Sequence, residues 1–209
     1  MRQSDVAVTD VSTGDAPSEL FPRLLPWILG ICGVVGLVAS FTLTVEKFEL
    51  ASNPDYVPSC SISPVLNCGS IMDTDQAAVF GFPNSLLGIT GFAALLTIAV
   101  MMGRKTSALI MLGMQVGLTA GVAFIGWLIF QSLYRIDALC PYCMVVWVVT
   151  IVAFWYVTLR NADDYITGGT PRKILNGVLG IHSLIPVVVM LAIVGLILEH
   201  FWWYWSTLV

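Results

Sequence analysis

Five separate stretches of this chain are apolar enough and long enough to cross a lipid bilayer as helices, and this constrains the fold more than any other feature. A bilayer core takes about 20 consecutive apolar residues to cross. The stretches run roughly Pro22–Val45, Ser85–Met102, Ser107–Leu133, Cys140–Leu159 and Ile174–Leu198. Charged residues are only 11% of the chain, against about 25% in a soluble domain. The fold class is therefore an all-α integral membrane protein. Residues 1–21 read as a polar, acidic, disordered tail with no signal-peptide pattern. Residues 22–200 form the membrane domain, and residues 201–209 an aromatic tail. The formal charge of −4 comes largely from the first tail and the first loop, so it says nothing about nucleic acid.

Basic residues flanking spans are retained in the cytoplasm. With the N-terminus inside, Arg2, Arg23, Arg104, Lys105, Arg160, Arg172 and Lys173 are cytoplasmic, which leaves Lys47 and Arg135 outside. This orientation places the loop 46–84, the short turn 134–139 and the C-terminal tail on the extracytoplasmic face of the cell membrane. Trp202, Trp203, Tyr204 and Trp205 then fall at the outer interface, where amphipathic rings accumulate. Gly30, Gly33 and Gly36 in the first span, and Gly113, Gly117 and Gly121 in the third, recur at helical spacing and predict close helix contacts. No division into matching halves suggests a transporter. The outer loop is long for a connection and reads as functional. A short helix is expected within it over 71–80, with Asp73, Thr74 or Asp75 near its start.

This topology sorts the five cysteines. Cys60 and Cys68 fall in the outer loop, and Cys140 and Cys143 at the outer end of the fourth span, all on the side where disulfides persist. Cys32 is left in the cytoplasmic half of the first span, where a thiol serves as a small buried hydrophobe. Cys140 and Cys143 are one helical turn apart, and Pro141 suits a first turn because its missing N–H would have no partner there. A helix N-terminus favours a thiolate, so this pair is built to react. The seven residues between Cys60 and Cys68 let a disulfide close in a loop expected to be reachable from outside. Two pairs in two settings suggest a relay by thiol–disulfide exchange. The plainer readings are two structural staples or a zinc site. CxxC within one helical turn braces little, and zinc knuckles are hydrophilic, whereas this motif opens a membrane span.

A Cys-x7-Cys outer loop, then "FGFPNSLLGITGF" opening the second span, then "CPYC" opening the fourth, together resemble the vitamin K epoxide reductase family in its bacterial form. The resemblance covers about 22–159. It implies a four-helix bundle around a quinone site near the outer surface, with the fifth span as an addition. It further implies that Cys143 acts on the quinone, that Cys140 exchanges with Cys68, and that Cys60 completes the loop disulfide. Asn84 matches an asparagine that hydrogen-bonds a quinone carbonyl, although a helix N-cap is an alternative role for it. Thr74 falls where the family has a Ser or Thr near the loop thiols. Trp147, one turn after Cys143, stands where animal members often have Tyr, which bears on quinone selectivity. Some bacterial members carry a fused thioredoxin-like domain. Here the resemblance implies a separate DsbA-like partner, reoxidised by the loop, with menaquinone or ubiquinone as the electron acceptor and no metal.

A membrane quinone and water-borne thiols meet only at the bilayer boundary, which accounts for a redox motif at the mouth of a span. The rival within the same chemistry, a DsbB-type oxidase, has its CxxC before the second cysteine pair, whereas here it follows. The rival from another class is a non-catalytic scaffold with structural disulfides. Gln115, Thr119, Asn176 and His182 are the other polar residues within spans. His182 is a conceivable proton acceptor, but it falls far from the thiols, and helix packing is its simpler role.

Overall fold

The computed structural model describes residues 17–53, 55–102 and 106–207, with side chains from Leu24 onward. The expected disordered tail lies mostly outside them, as do Arg104 and Lys105. Helix α1 spans Pro17–Ser52, α2 is a short turn at Cys68–Met72, α3 spans Asn84–Met101 and α4 Ala108–Gln131. Helix α5 spans Pro141–Tyr165, α6 Gly169–Gly180, α7 Leu184–His200 and α8 Trp202–Trp205. Four of these helices, α1, α3, α4 and α5, are long and apolar enough to cross a membrane. Their outward faces carry large exposed apolar side chains such as Trp27, Ile31, Val100, Leu109 and Val116. In lipid that exposure is favourable, and a helix is the form that satisfies its own backbone there.

Helix α1 outruns its expected end at Val45 and continues to Ser52. At 1.5 Å per residue its length is about 54 Å, well beyond a bilayer core of about 30 Å. The last turns carry Glu46, Lys47 and Glu49 and form a floor for the loop, which begins only at Asn53. Glu46 and Lys47, placed in the loop by the sequence reading, are helical because the loop above supplies their partners. Helix α5 likewise runs six residues past its expected end. Its polar extension is held by an Arg160–Asp164 pair at 2.6 Å and an Arg172–Asp163 pair at 2.8 Å.

Helix α1 packs against α3 and α5, and α4 packs against α5. Gly33 and Gly36 set the α1–α3 distance as expected, whereas a Cβ on Gly30 would meet nothing. A Cβ on Gly33 would come within 2.9 Å of the Leu96 side chain, and one on Gly36 would run into the Phe92 ring. Gly88 of α3 meets Ser40 of α1 just as closely. The expectation for the third span is corrected: Gly113 and Gly117 touch nothing that a Cβ would meet, and Gly121 makes only ordinary contact with Thr150. These glycines line a cavity between α3 and α4, so their missing side chains create space and do not bring helices together. At the end remote from the cysteines, α4 and α5 are tied by Gln115 donating to Thr158 Oγ1 at 3.0 Å and Asn161 donating to Gln115 Oε1 at 3.1 Å. Such bonds substitute for the hydrophobic drive that lipid does not supply.

The fifth span also differs from its expected form. The stretch 174–198 is not one helix: α6 and α7 meet at a 65° bend around residues 181–183. His182 lies in this break. Its carbonyl accepts from Trp155 Nε1 at 2.7 Å, and its Nδ1 bonds the Tyr156 hydroxyl at 3.0 Å, so α5 pins the bend. The structure thus holds His182 in a packing role. Helix α6 opens on a Gly-Gly-Thr-Pro-Arg-Lys segment that is not apolar.

Candidate redox site

The loop cysteines reach the CxxC through backbone pairing. Leu66 and Leu139 form an isolated parallel bridge, with the Leu139 N–H donating to the Val65 carbonyl at 2.7 Å and the Asn67 N–H donating to the Leu139 carbonyl at 2.9 Å. Parallel pairing runs the two segments in one direction, so Cys68, two residues past Leu66, and Cys140, one past Leu139, come together just beyond the bridge. The chain can make this turn because Asp137 adopts φ 55°, a left-handed conformation that Asp tolerates better than most residues. The expected short turn 134–139 is therefore a π turn over Ser132–Ile136 followed by this reversal. On the loop side Asn67 caps α2, its Oδ1 accepting from the Ser70 N–H at 3.2 Å and from the Ser61 hydroxyl at 3.0 Å. The helix expected over 71–80 is two pieces, α2 and a 3-10 turn at Asp75–Ala78.

Cys60 and Cys68 form a disulfide, while Cys140 and Cys143 are free thiols. Cys68 Sγ lies 3.0 Å from Cys140 Sγ, so Cys140 is in contact with one end of the loop disulfide. All three sulfurs fall within 4.8 Å of one another. That spacing would suit a metal, yet two of the sulfurs are bonded to each other, and a metal ligand must be a thiolate. The disulfide is not reachable from outside as the sequence suggested: Cys60 is 4% exposed and Cys68 fully buried. Leu43, Leu50, Ile71 and Tyr142 pack around it, closing it off.

Cys140 occupies the N-cap of α5, and its sulfur accepts from the Cys143 N–H at 3.4 Å. A hydrogen bond from the Cys143 side chain, reinforced by the backbone N–H groups of Cys143 and Tyr142, holds the Cys140 thiol below its ordinary pKa against the opposing effect of burial. A thiolate here is the species that attacks disulfides. Pro141 takes the first helical position, as its chemistry predicts.

Cys143, besides its hydrogen bond to Cys140, borders a cavity of about 540 Å³ bounded by α1, α3, α4 and α5. The volume is in the range of small-molecule sites. Its walls are apolar or glycine, including Gly88, Gly117, Phe124 and Val146, with Asn84 and Trp147 in the wall beside Cys143. Trp147 is buried and also packs under the 65–66 and 139 segments. Asn84 does not cap α3, whose N-cap position is Pro83. Its Nδ2 donates to the Gln76 carbonyl at 2.6 Å and its Oδ1 accepts from the Val79 N–H at 3.2 Å, tying the 3-10 turn to the cavity rim. Thr74 lies outside this cavity. It lines a smaller one of about 90 Å³ that Asn84 and Cys143 also border, and its hydroxyl donates to the Ile71 carbonyl at 2.7 Å.

Sequence reasoning missed Glu46 and Lys47. Glu46 is 5% exposed and accepts from the Ser59 N–H at 3.0 Å, from the Ser59 hydroxyl at 2.5 Å and from the Tyr56 hydroxyl at 3.2 Å. It thereby latches the segment that carries Cys60 onto α1. Lys47 Nζ donates to the Met72 carbonyl at 2.6 Å, holding the end of α2. The available signal was an adjacent Glu-Lys pair directly after an apolar run. His200 was also missed: it pairs with Asp137 at 2.7 Å and so ties the end of α7 to the reversal before Cys140.

Fold and site together define a helical membrane protein with a buried disulfide touching a thiol pair at the end of its bundle. The Vitamin K epoxide reductase family model matches residues 27–158, and the chain belongs to that family, whose members are oxidoreductases. The matched region covers α1 to α5 and stops short of α6 to α8. A search of curated proteins gave no match.

Proposed function

We propose that this protein oxidises a DsbA-like thioredoxin-fold dithiol outside the cytoplasm and passes the electrons to a membrane quinone, supporting disulfide formation in exported proteins. The observation that carries the reading is the placement of three groups in series. Cys68, bonded to Cys60, touches Cys140 at 3.0 Å, and Cys143 borders the 540 Å³ cavity. A relay needs this order, whereas two structural staples would need no contact between the pairs.

The cycle begins with both pairs oxidised. A partner thiolate attacks the loop disulfide, and the partner's second thiol completes the partner's own disulfide, leaving Cys60 and Cys68 reduced. Cys68 then attacks Cys140, releasing Cys143. Cys60 attacks Cys68, restoring the loop disulfide and freeing Cys140. The resulting arrangement, loop disulfide beside a CxxC dithiol, is the one in the structure. Cys140 and Cys143 then close their disulfide and give two electrons to the quinone, which is bound as substrate. Asn84 would hold a quinone carbonyl with an amide hydrogen, and Trp147 would pack on the ring. Thr74 stands further off and supports the loop thiols. A DsbA-type partner at about −120 mV is strongly oxidising, so menaquinone makes the step less favourable than ubiquinone. Because the disulfide is buried, partner attack requires the 55–63 segment to lift off Glu46.

The test follows quinone absorbance with purified protein, a short-chain quinone and a reduced DsbA-like protein. Wild type should consume quinone in proportion to partner, and Cys143→Ala should lose at least about 100-fold, the scale expected when a reacting group is removed. Equal turnover by Cys143→Ala removes Cys143 as the electron donor. A wild type inactive with both quinone types would favour the scaffold reading.

A further inference from the structure

We propose that Phe201 is a positioning residue for the exchange between Cys68 and Cys140, acting through the backbone bridge that brings the two sulfurs together. This rests on the relay reading and adds to it a role for the last span, which lies beyond the family-matched residues 27–158.

The bridge is isolated, and its two hydrogen bonds, from the Leu139 N–H to Val65 and from the Asn67 N–H to Leu139, end one residue before Cys140 and one before Cys68. A shift of either segment therefore moves a sulfur. Short strand pairings of this kind hold only when apolar packing supports them. Val65 and Leu139 are each 1% exposed and share a buried cluster with Phe201, whose side chain is the largest fully buried one among the described residues. The cluster's other walls, Ile125 and Trp147, are fixed in α4 and α5, whereas Val65 and Leu139 lie outside any helix. The ring thus bears on the parts of the site most able to move.

Helix α7 concentrates its packing at this end. Within it only Pro186 and Ile197 are buried, while Leu184, Val187, Leu191 and Leu198 are exposed, as suits a helix facing lipid. Ile197 joins the bridge cluster. The Phe201 N–H donates to the Ile197 carbonyl at 3.0 Å, and its carbonyl accepts from the Tyr204 N–H at 3.0 Å, so the backbone on both sides fixes where the ring stands. The neighbouring His200–Asp137 pair joins the same end to the reversal, but the Asp137 side chain is 67% exposed, and a pair so open contributes little. The buried ring is the stronger hold. Removing such a ring leaves a cavity that its surroundings fill only in part, and the bridge residues are the ones free to shift toward it.

The experiment uses the full chain in lipid nanodiscs with Cys32→Ala and Cys143→Ala, which leaves one disulfide and one thiol at the contact and needs neither quinone nor partner. The Cys140 thiolate attacks the Cys68 sulfur, the Cys60–Cys68 bond breaks, the Cys68–Cys140 bond forms, and Cys60 leaves as a thiolate. One disulfide replaces another, so no outside oxidant enters. Protein held as the loop disulfide in acid, where exchange is frozen, is brought to mildly alkaline pH. Acid quenching and mass spectrometry then follow the free thiol as it passes from Cys140 to Cys60. Adding Phe201→Ala should slow this passage about 100-fold, the scale of a misplacement of about 1 Å. Phe201→Leu, which keeps part of the volume, should slow it about tenfold. Leu29→Ala, which empties an equally buried site in the core away from the cysteines, should lower thermal stability and leave the rate unchanged. Phe201→Ala at the parent rate, or no slower than Leu29→Ala, overturns the positioning role. Where alanine yields no folded protein, Phe201→Leu decides, and the parent rate in it overturns the role. A parent protein whose thiol never passes to Cys60 overturns the relay itself, whereas passage at an equal rate in the Phe201 variants overturns only this inference.

Discussion

Cys140 and Cys143 differ by environment although they belong to one motif. Cys140 caps a helix and accepts hydrogen bonds from its neighbour's side chain and from two backbone N–H groups, which keep it ionised at lower pH than an ordinary thiol. Its thiolate signal is therefore present above that lowered pKa and lost as pH falls through it. In reduced protein carrying Cys32→Ala, the ultraviolet thiolate absorbance should titrate below the usual thiol range. Adding Cys143→Ala removes the leading donor and should move the midpoint upward. A midpoint that stays in place would mean that the backbone N–H groups alone set it. At this scale the thiol pair was legible as a pair because CxxC with proline inside fits the first turn of a helix. Glu46 was not, since a carboxylate after an apolar run reads as a span end until the loop that folds onto it is known.

Among the elements, the 55–63 segment and α1 act together. Glu46 makes charge-assisted bonds to both the backbone and the hydroxyl of Ser59, and a hydrogen bond to a charged group contributes about 1.5–3 kcal/mol. Losing it should ease the opening that exposes the loop disulfide. Glu46→Gln is expected to speed reduction of that disulfide by a small dithiol about tenfold, each factor of ten corresponding to about 1.4 kcal/mol. An unchanged rate would mean that the segment opens elsewhere. Five apolar runs announced the spans to within a few residues at most ends. The break at 181–183 gave no such signal, because a run stays apolar through a bend that Trp155 and Tyr156 of another helix impose.

For the molecule as a whole, the loop, the CxxC, the end of α7 and α8 gather at one end of the bundle, joined by the Leu66–Leu139 bridge and the Asp137–His200 pair. The basic residues flanking the spans predict that this end faces out. A phosphatase active only outside the cytoplasm, fused after Val209, should be active, and one fused in the 103–105 connection should not. The reverse pattern would place the thiols in a reducing compartment and remove the oxidative role. The membrane class, the span count to within the bent fifth segment, and the cysteine pairs were determined by the sequence alone. Hydrophobic length and thiol spacing are local quantities, and the bilayer reads them locally. Tertiary structure alone decided that Cys68 meets Cys140, that the disulfide is buried, and that the third span's glycines open a cavity. Those outcomes depend on a backbone bridge between residues 66 and 139 and on which faces of four helices meet, and no short window of sequence contains both partners.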